Sequence, residues 1–251
     1  LFFIIMRAVS IEFRSKEEMS WWRKMWDIMY SISSIMLALL LGVVLGNVLQ
    51  GLAIDQNFEY QGGPFFDFLS PYSLMVGVTT VALFMTHGAI YLLMKTEGKL
   101  YERLKLFLRN GIIFFIVSFS LTTLYTLIYL PHLSDSFKSN PQLFLVPVLA
   151  FLCIANIPRL ASKSKYRMAF LFSSLTMSLL LILVAIELYP TLLISTIDPA
   201  NSITIYNAAS SEKSLSIMLT IVVIGAPLVL AYTIFVYNTF KGKVVIDETS
   251  Y

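Results

Sequence analysis

Six long apolar stretches constrain this chain more than any other feature of its sequence. Each is close to the ~20 residues that a helix needs to cross the ~30 Å hydrocarbon core of a bilayer. None alternates apolar with polar residues, as the strands of a membrane barrel do. The stretches predict six transmembrane helices, over Ile28–Leu49, Pro71–Lys95, Ile112–Leu130, Pro141–Pro158, Met168–Tyr189 and Leu215–Phe240.

The composition argues against a soluble domain. Hydrophobic residues make up 57% of the chain and charged residues 13%, whereas soluble domains have about 45–50% and roughly 25%. We therefore predict a single all-α domain over residues 1–251, a polytopic transmembrane helix bundle with six full spans. Leu1–Val9 is apolar but too short to cross a bilayer, so we expect it to be the end of a truncated N-terminal helix, in a fragment of a longer subunit. Pro147 and Pro227 lie inside two of the spans and are expected to bend them.

Basic residues occur in alternate connections between the spans. By the positive-inside rule, the connections rich in Lys and Arg are cytoplasmic, and so is the C-terminus. The three intervening connections hold only Lys138 and Lys213 between them. The basic groups are Arg14, Lys16, Arg23 and Lys24; Lys99, Arg103, Lys105 and Arg109; Arg159, Lys163, Lys165 and Arg167; and Lys241 and Lys243.

Small and polar residues mark one side of the first full span. Ala38, Gly42 and Gly46 recur every four residues, which lets helix backbones approach closely in lipid. The stripe predicts packing within this chain or docking onto another subunit. Asn47 and Gln50 follow near the outer end of the same helix and are candidates for interhelical hydrogen bonds.

Three further polar residues lie inside spans and are candidate functional residues. His87 is the only histidine within a span, and it can serve as interhelical polar glue, as a proton or quinone contact, or as a haem ligand. Glu187 lies one turn from the outer end of its helix, where it either reaches water or forms a proton or quinol site. Asn156 is a third intramembrane polar candidate.

The residues do not predict a metal or haem centre held by this chain alone. Cys153 is the only cysteine, so neither a disulfide within the chain nor a thiolate cluster can form. A bis-histidine haem needs two histidines at similar depth, whereas the second histidine, His132, falls in a connection between spans. We therefore expect no catalytic, cofactor-binding or metal-binding set in this chain.

Several ordered segments resemble subunit II of the cytochrome bd-type quinol oxidases. They lie at helix ends and in connections, and together they cover nearly the whole chain. The resemblance corresponds to the C-terminal two-thirds of that family, whose first two helices and most of the third carry motifs linked to proton uptake. The segments are Arg7–Arg14 with Trp22–Asp27, Leu45–Gly51, His87–Leu92 with Lys95–Gly98, Ser195–Pro199 with Ser202–Ala208, and Pro227–Thr233 with Phe240–Val244.

The resemblance implies a haem-poor membrane subunit of a respiratory complex that oxidises quinol and reduces dioxygen to water. It further implies that haem b and haem d lie in a larger partner subunit, and that this chain stabilises the complex and contributes to proton or oxygen access. A bound quinone and membrane lipids are further expected ligands, in a bacterial or archaeal plasma membrane. The alternatives are a transporter or channel, for which His87, Asn47 and Asn156 would line a path, and a non-functional fragment.

Overall fold

The computed structural model describes residues 1–130, 133, 137 and 140–243. His132, Lys138 and Val244 lie outside the described residues. Seven α-helices contain most of the described residues, and six of these helices are long and apolar enough to cross a membrane. The helices are α1 (Phe2–Arg14), α2 (Ser20–Gln50), α3 (Pro71–Lys95), α4 (Gly98–Tyr129), α5 (Leu145–Ser162), α6 (Tyr166–Leu188) and α7 (Glu212–Thr239).

The prediction of an all-α bundle with six spans is confirmed, and the bounds of α3 match the predicted ones. Helices α2 and α4 begin earlier than predicted, at Ser20 and Gly98 instead of Ile28 and Ile112. The apolar stretch marks only the part of a helix that lies in hydrocarbon, whereas helical hydrogen bonding continues into the headgroup region. The basic residues from Lys99 to Arg109 therefore lie on α4 itself and not in a loop.

Local signals explain where several helices begin and end. Ser70 caps α3, because its hydroxyl accepts a hydrogen bond from the Ser73 backbone N–H, and Pro71 follows at the first helical position. Asn140 precedes a 3₁₀ turn over Pro141–Phe144, which leads directly into α5. Pro147 is the third residue of α5, in the first turn, where the missing N–H has no intrahelical acceptor to lose.

Helix α3 is the centre of the bundle. Half of its apolar window is buried, compared with 17–22% for α2, α4, α6 and the Pro141–Ser162 span. It packs against α2, α4 and α6, while α5 packs mainly against α6, and α1 packs against α2. The largest buried cluster joins Ile90 and Leu93 of α3 to Leu108 of α4, Ile157 of α5 and Ala169 of α6.

Helix α7 differs from the other spans, because none of its residues is buried against the rest of the described chain. Among the described residues, the polar contacts between this part of the chain and the bundle come just after its C-terminal end. There the Lys95 ammonium donates to the Phe240 carbonyl at 2.7 Å, and Lys243 pairs with Glu97.

The two ends of the bundle differ in charge and structure. The basic end carries the start of α4 and the α5–α6 connection. The opposite end carries two longer connections, residues 51–70 and 189–211, which hydrogen-bond to each other through Leu52 and the backbone of Ile194 and Thr196. A short antiparallel pair, β1 (Thr191–Leu193) and β2 (Ile203–Thr204), lies in the second connection.

Candidate functional site

An apolar cavity of about 750 Å³ lies in the half of the bundle away from the basic end, toward the connections of residues 51–70 and 189–211. Side chains of α2 to α6 line it, among them Leu45, Phe119 and Leu180. The polar side chains in its wall are mostly threonines. A space of this size and character is suited to a long apolar molecule and unsuited to an ion or sugar.

Hydroxyl groups in the cavity wall are paired across helices. The Tyr72 and Thr126 hydroxyls lie 3.1 Å apart, and those of Thr79 and Thr122 lie 2.9 Å apart, which joins α3 to α4. These four residues were missed by the sequence analysis. The four-residue spacing of Thr122 and Thr126, which places both on one helix face, is the signal that could have found them.

Glu187 is the only carboxyl group among the described residues that line the cavity. It is the second-last residue of α6, so its side chain lies at the end of the cavity nearest the opposite end of the bundle. None of the hydrogen bonds between described side chains satisfies it. An ionisable side chain inside a span is a candidate functional group, and this one is half-buried beside an apolar space.

His87 joins two helices at a different level of the bundle. Its Nδ1 lies 3.0 Å from the Ser173 hydroxyl of α6, and its ring packs against Phe170 with centroids 4.6 Å apart. Ser173 is fully buried and was not singled out from the sequence. His87 does not line the apolar cavity, so the structure does not bring it together with Glu187.

Asn47 and Gln50 hold the end of α2 to the segment that precedes α3. The Asn47 amide donates to the Phe68 carbonyl at 2.7 Å and to the Val43 carbonyl at 2.8 Å. The Ser70 hydroxyl donates to the Gln50 side-chain oxygen at 2.7 Å. Both side chains therefore order the turn between α2 and α3.

The small residues of α2 lie along α3. A Cβ atom added at Gly42 would be 2.6 Å from the Gly77 Cα, and one added at Gly46 would be 2.6 Å from the Ser73 Cα. Ala38, the third residue of the stripe, is half-buried. The α2 and α3 backbones are thus closer than any larger side chain would permit.

Asn156 stands apart from the other polar candidates. Its amide donates to the Leu152 carbonyl one turn earlier in α5, at 2.9 Å. Among the described residues there is also no cluster of three or more His, Cys, Asp or Glu side chains that could hold a metal ion.

Comparison with known proteins relates the chain to one family. Residues 1–240 match the family described as cytochrome bd terminal oxidase subunit II. Subunit 2 of the cytochrome bd-I ubiquinol oxidase of Escherichia coli K12 is 29% identical over 274 residues, which cover 98% of this chain and 72% of that protein. Cytochrome bd ubiquinol oxidase subunit 2 of Bacillus subtilis is 25% identical, over 95% of this chain and 69% of that protein.

The fold is also shared with a solved structure. The bd oxidase from Geobacillus thermodenitrificans matches with a TM-score of 0.72 and 17% identity, over 95% of this chain and 71% of the matched chain. The resemblance predicted from the ordered sequence segments is thereby confirmed. With six membrane-spanning helices and a family match over nearly its whole length, the chain belongs to the cytochrome bd terminal oxidase subunit II family.

Proposed function

We propose that this chain is the haem-poor, non-catalytic subunit of a quinol oxidase that couples quinol oxidation to the reduction of dioxygen to water. The observation that carries the proposal is the match of residues 1–240 to subunit II of the bd terminal oxidases. The relatives' names, which specify ubiquinol, support quinol as the electron donor. The same match favours an oxidase subunit over a transporter or channel.

Haem b and haem d belong, in this proposal, to a larger partner subunit. The described part of this chain does not fit a haem site. Its one histidine, His87, is engaged by Ser173 and Phe170. The methionines on the same helix, Met75, Met85 and Met94, cannot reach the opposite face of a haem that His87 would ligate.

Helix α7 is the part of the chain that we assign to contact with the partner subunit. It is 28 residues long and has an apolar window long enough to cross a membrane, with no residue buried against the described bundle. Because α7 is held to its own chain mainly near its C-terminal end, its apolar surface is available for packing with helices of another subunit. Gly42 and Gly46 of the small-residue stripe, by contrast, lie against α3 within the chain.

The apolar cavity is the proposed location of any contribution to proton or oxygen access, and of a bound quinone. Its support is the combination of an apolar space with the Glu187 carboxyl at one end. We assign a structural role to His87, Asn47 and Gln50, because the side chain of each is hydrogen-bonded to a neighbouring element.

We further propose that the chain lies in a prokaryotic plasma membrane with its C-terminus in the cytoplasm. The support is the alternation of basic and poorly basic connections along the chain. Fusion of alkaline phosphatase and of a fluorescent protein after residue 243 tests the orientation, since the first is active outside the cytoplasm and the second inside.

The test of the function is an optical one. The tagged parent protein is purified from its native membranes, and a dithionite-reduced-minus-oxidised spectrum is recorded. Bands of haem b and haem d, together with a larger co-purifying subunit and quinol-dependent oxygen uptake, are the expected result. A folded chain that purifies alone and without haem would overturn the proposal, and substrate flux in proteoliposomes would then be measured.

A further inference from the structure

A second cavity, of about 490 Å³, lies at the basic end of the bundle between α4 and the α5–α6 connection. Helices α4 and α5 share buried clusters further along, where Phe115 meets Ile154 and Ile112 meets Ile157. The cavity extends from the level of Ile112, which lines it, toward the start of α4. Its floor is apolar and its rim is basic, and neither the fold nor the proposed function uses it.

Two cations and a helix terminus give the cavity a positive rim. Lys105 and Arg109, one turn apart on α4, both line it, and the lining contains no acidic side chain. Lys105 lies 3.6 Å from Glu102 and 5.3 Å from the centre of the Tyr101 ring, whereas Arg109 forms no hydrogen bond or ion pair with any described residue. Tyr166, the first residue of α6, also lines it, and α6 begins without a side-chain cap. The N–H groups of its first turn add positive potential there.

The uncharged run that follows Arg109 indicates how deep this residue lies in a bilayer. The residues from 110 to the end of α4 at Tyr129 include no charged side chain. Their length, about 20 residues at ~1.5 Å each, matches the ~30 Å hydrocarbon thickness of a bilayer. Asn110, the first residue of this uncharged run, is therefore at the edge of the hydrocarbon, and the Arg109 guanidinium is level with the headgroups.

We propose that this cavity binds the phosphate of an anionic glycerophospholipid from the leaflet at the basic end. Lys105 and Arg109 contact the phosphate, with the N-terminus of α6 beside it, and Ser162 and Ser164 bond the headgroup. The acyl chains run from there along Ile113 and Pro158 toward the bilayer centre. Basic pockets between transmembrane helices have the chemistry that selects anionic headgroups, and the apolar floor selects a lipid over a free anion.

Photo-crosslinking tests the proposal on the assembled complex. The complex is placed in phosphatidylcholine vesicles containing a trace of phosphatidylglycerol with a diazirine in one acyl chain. Label on residues 105–113 and 158–166 is quantified by mass spectrometry while unlabelled phosphatidylglycerol is added as competitor. We expect saturable labelling that phosphatidylglycerol displaces at much lower concentration than phosphatidylcholine does.

Matched variants separate a built site from general surface charge. The Lys105→Gln/Arg109→Gln variant is expected to raise the half-competition concentration about 30-fold, since each basic residue near an anionic lipid contributes roughly a factor of five. Lys99→Gln/Arg103→Gln removes the same charge from the same helix outside the cavity and is expected to leave it unchanged. The charge-preserving Lys105→Arg/Arg109→Lys variant is expected to retain binding, which controls for loss of folding.

Three results would overturn the proposal. The first is equal labelling of the Lys105→Gln/Arg109→Gln variant and the parent chain. The second is an equal loss in the Lys99→Gln/Arg103→Gln control. The third is displacement of the label by millimolar inorganic phosphate, which would make the cavity a site for a free anion.

Discussion

Substitution of Gly42 by alanine tests how closely α2 and α3 approach each other. The new Cβ would lie 2.5 Å from the Thr80 hydroxyl oxygen and 2.6 Å from the Gly77 Cα. The Thr80 side chain can rotate, but the Gly77 backbone cannot move without its helix. Ordinary contact begins at 3.4 Å, so the two helices must separate by about 0.8 Å.

That separation is expected to destabilise the chain by about 1–3 kcal/mol, the usual cost of overpacking a well-packed contact. For a chain of this size it corresponds to a fall of the unfolding midpoint by about 2–4 °C per kcal/mol. Gly88→Ala is the matched control, because a Cβ added at Gly88 of α3 meets no atom within 4 Å. Its effect is expected to stay within about 0.5 kcal/mol.

Cys153 provides the assay. It is the chain's only cysteine and is buried in α5, so its alkylation reports unfolding. The purified complex is heated in steps with an alkylating reagent, and the modified Cys153 peptide is quantified by mass spectrometry. If Gly42→Ala has the same midpoint as the parent chain, or if Gly88→Ala lowers the midpoint as much, close approach at Gly42 does not hold α2 and α3 together.

Three further predictions concern polar groups. His87→Gln, which keeps hydrogen bonding to Ser173, is expected to leave quinol-oxidase turnover unchanged between about pH 6 and 8; a changed pH profile would instead support a proton relay. Glu187→Gln removes the one carboxyl group among the described residues of the cavity wall and is expected to lower quinol-oxidase turnover. Unchanged turnover would mean that Glu187 is an interfacial carboxylate without a role in the reaction. Hydrogen bonds from the Glu59 backbone and from Gln61 lower the pKa of Asp55. The Asp55 carboxylate therefore stabilises the loop of residues 51–62 above the usual pKa of 3.8, and this stabilisation is lost as the pH falls through the lower folded-state pKa. Hydrogen exchange at neutral pH is therefore expected to speed up in this loop in Asp55→Asn but not in the control Asp67→Asn.

The sequence by itself determined the membrane-spanning helices and the protein family. Bilayer thickness fixes how many apolar residues a crossing helix needs, so Pro71–Lys95 could be predicted to the residue from Ser70, Pro71 and the length of the apolar run. The basic connections and the ordered family segments are likewise local patterns, readable without knowing which helices touch. These patterns were sufficient to predict the family.

Only the tertiary structure decided which residues meet. In lipid, apolar faces give no strong preference for one neighbour over another, so partners depend on small residues and paired polar groups that lie far apart in sequence. The pairing of His87 with Ser173, the meeting of Gly42 with Gly77, and the placement of Glu187 at an apolar cavity arise in this way. The basic cavity at Lys105 and Arg109 is of the same kind, because its walls come from three helices that the sequence lists separately.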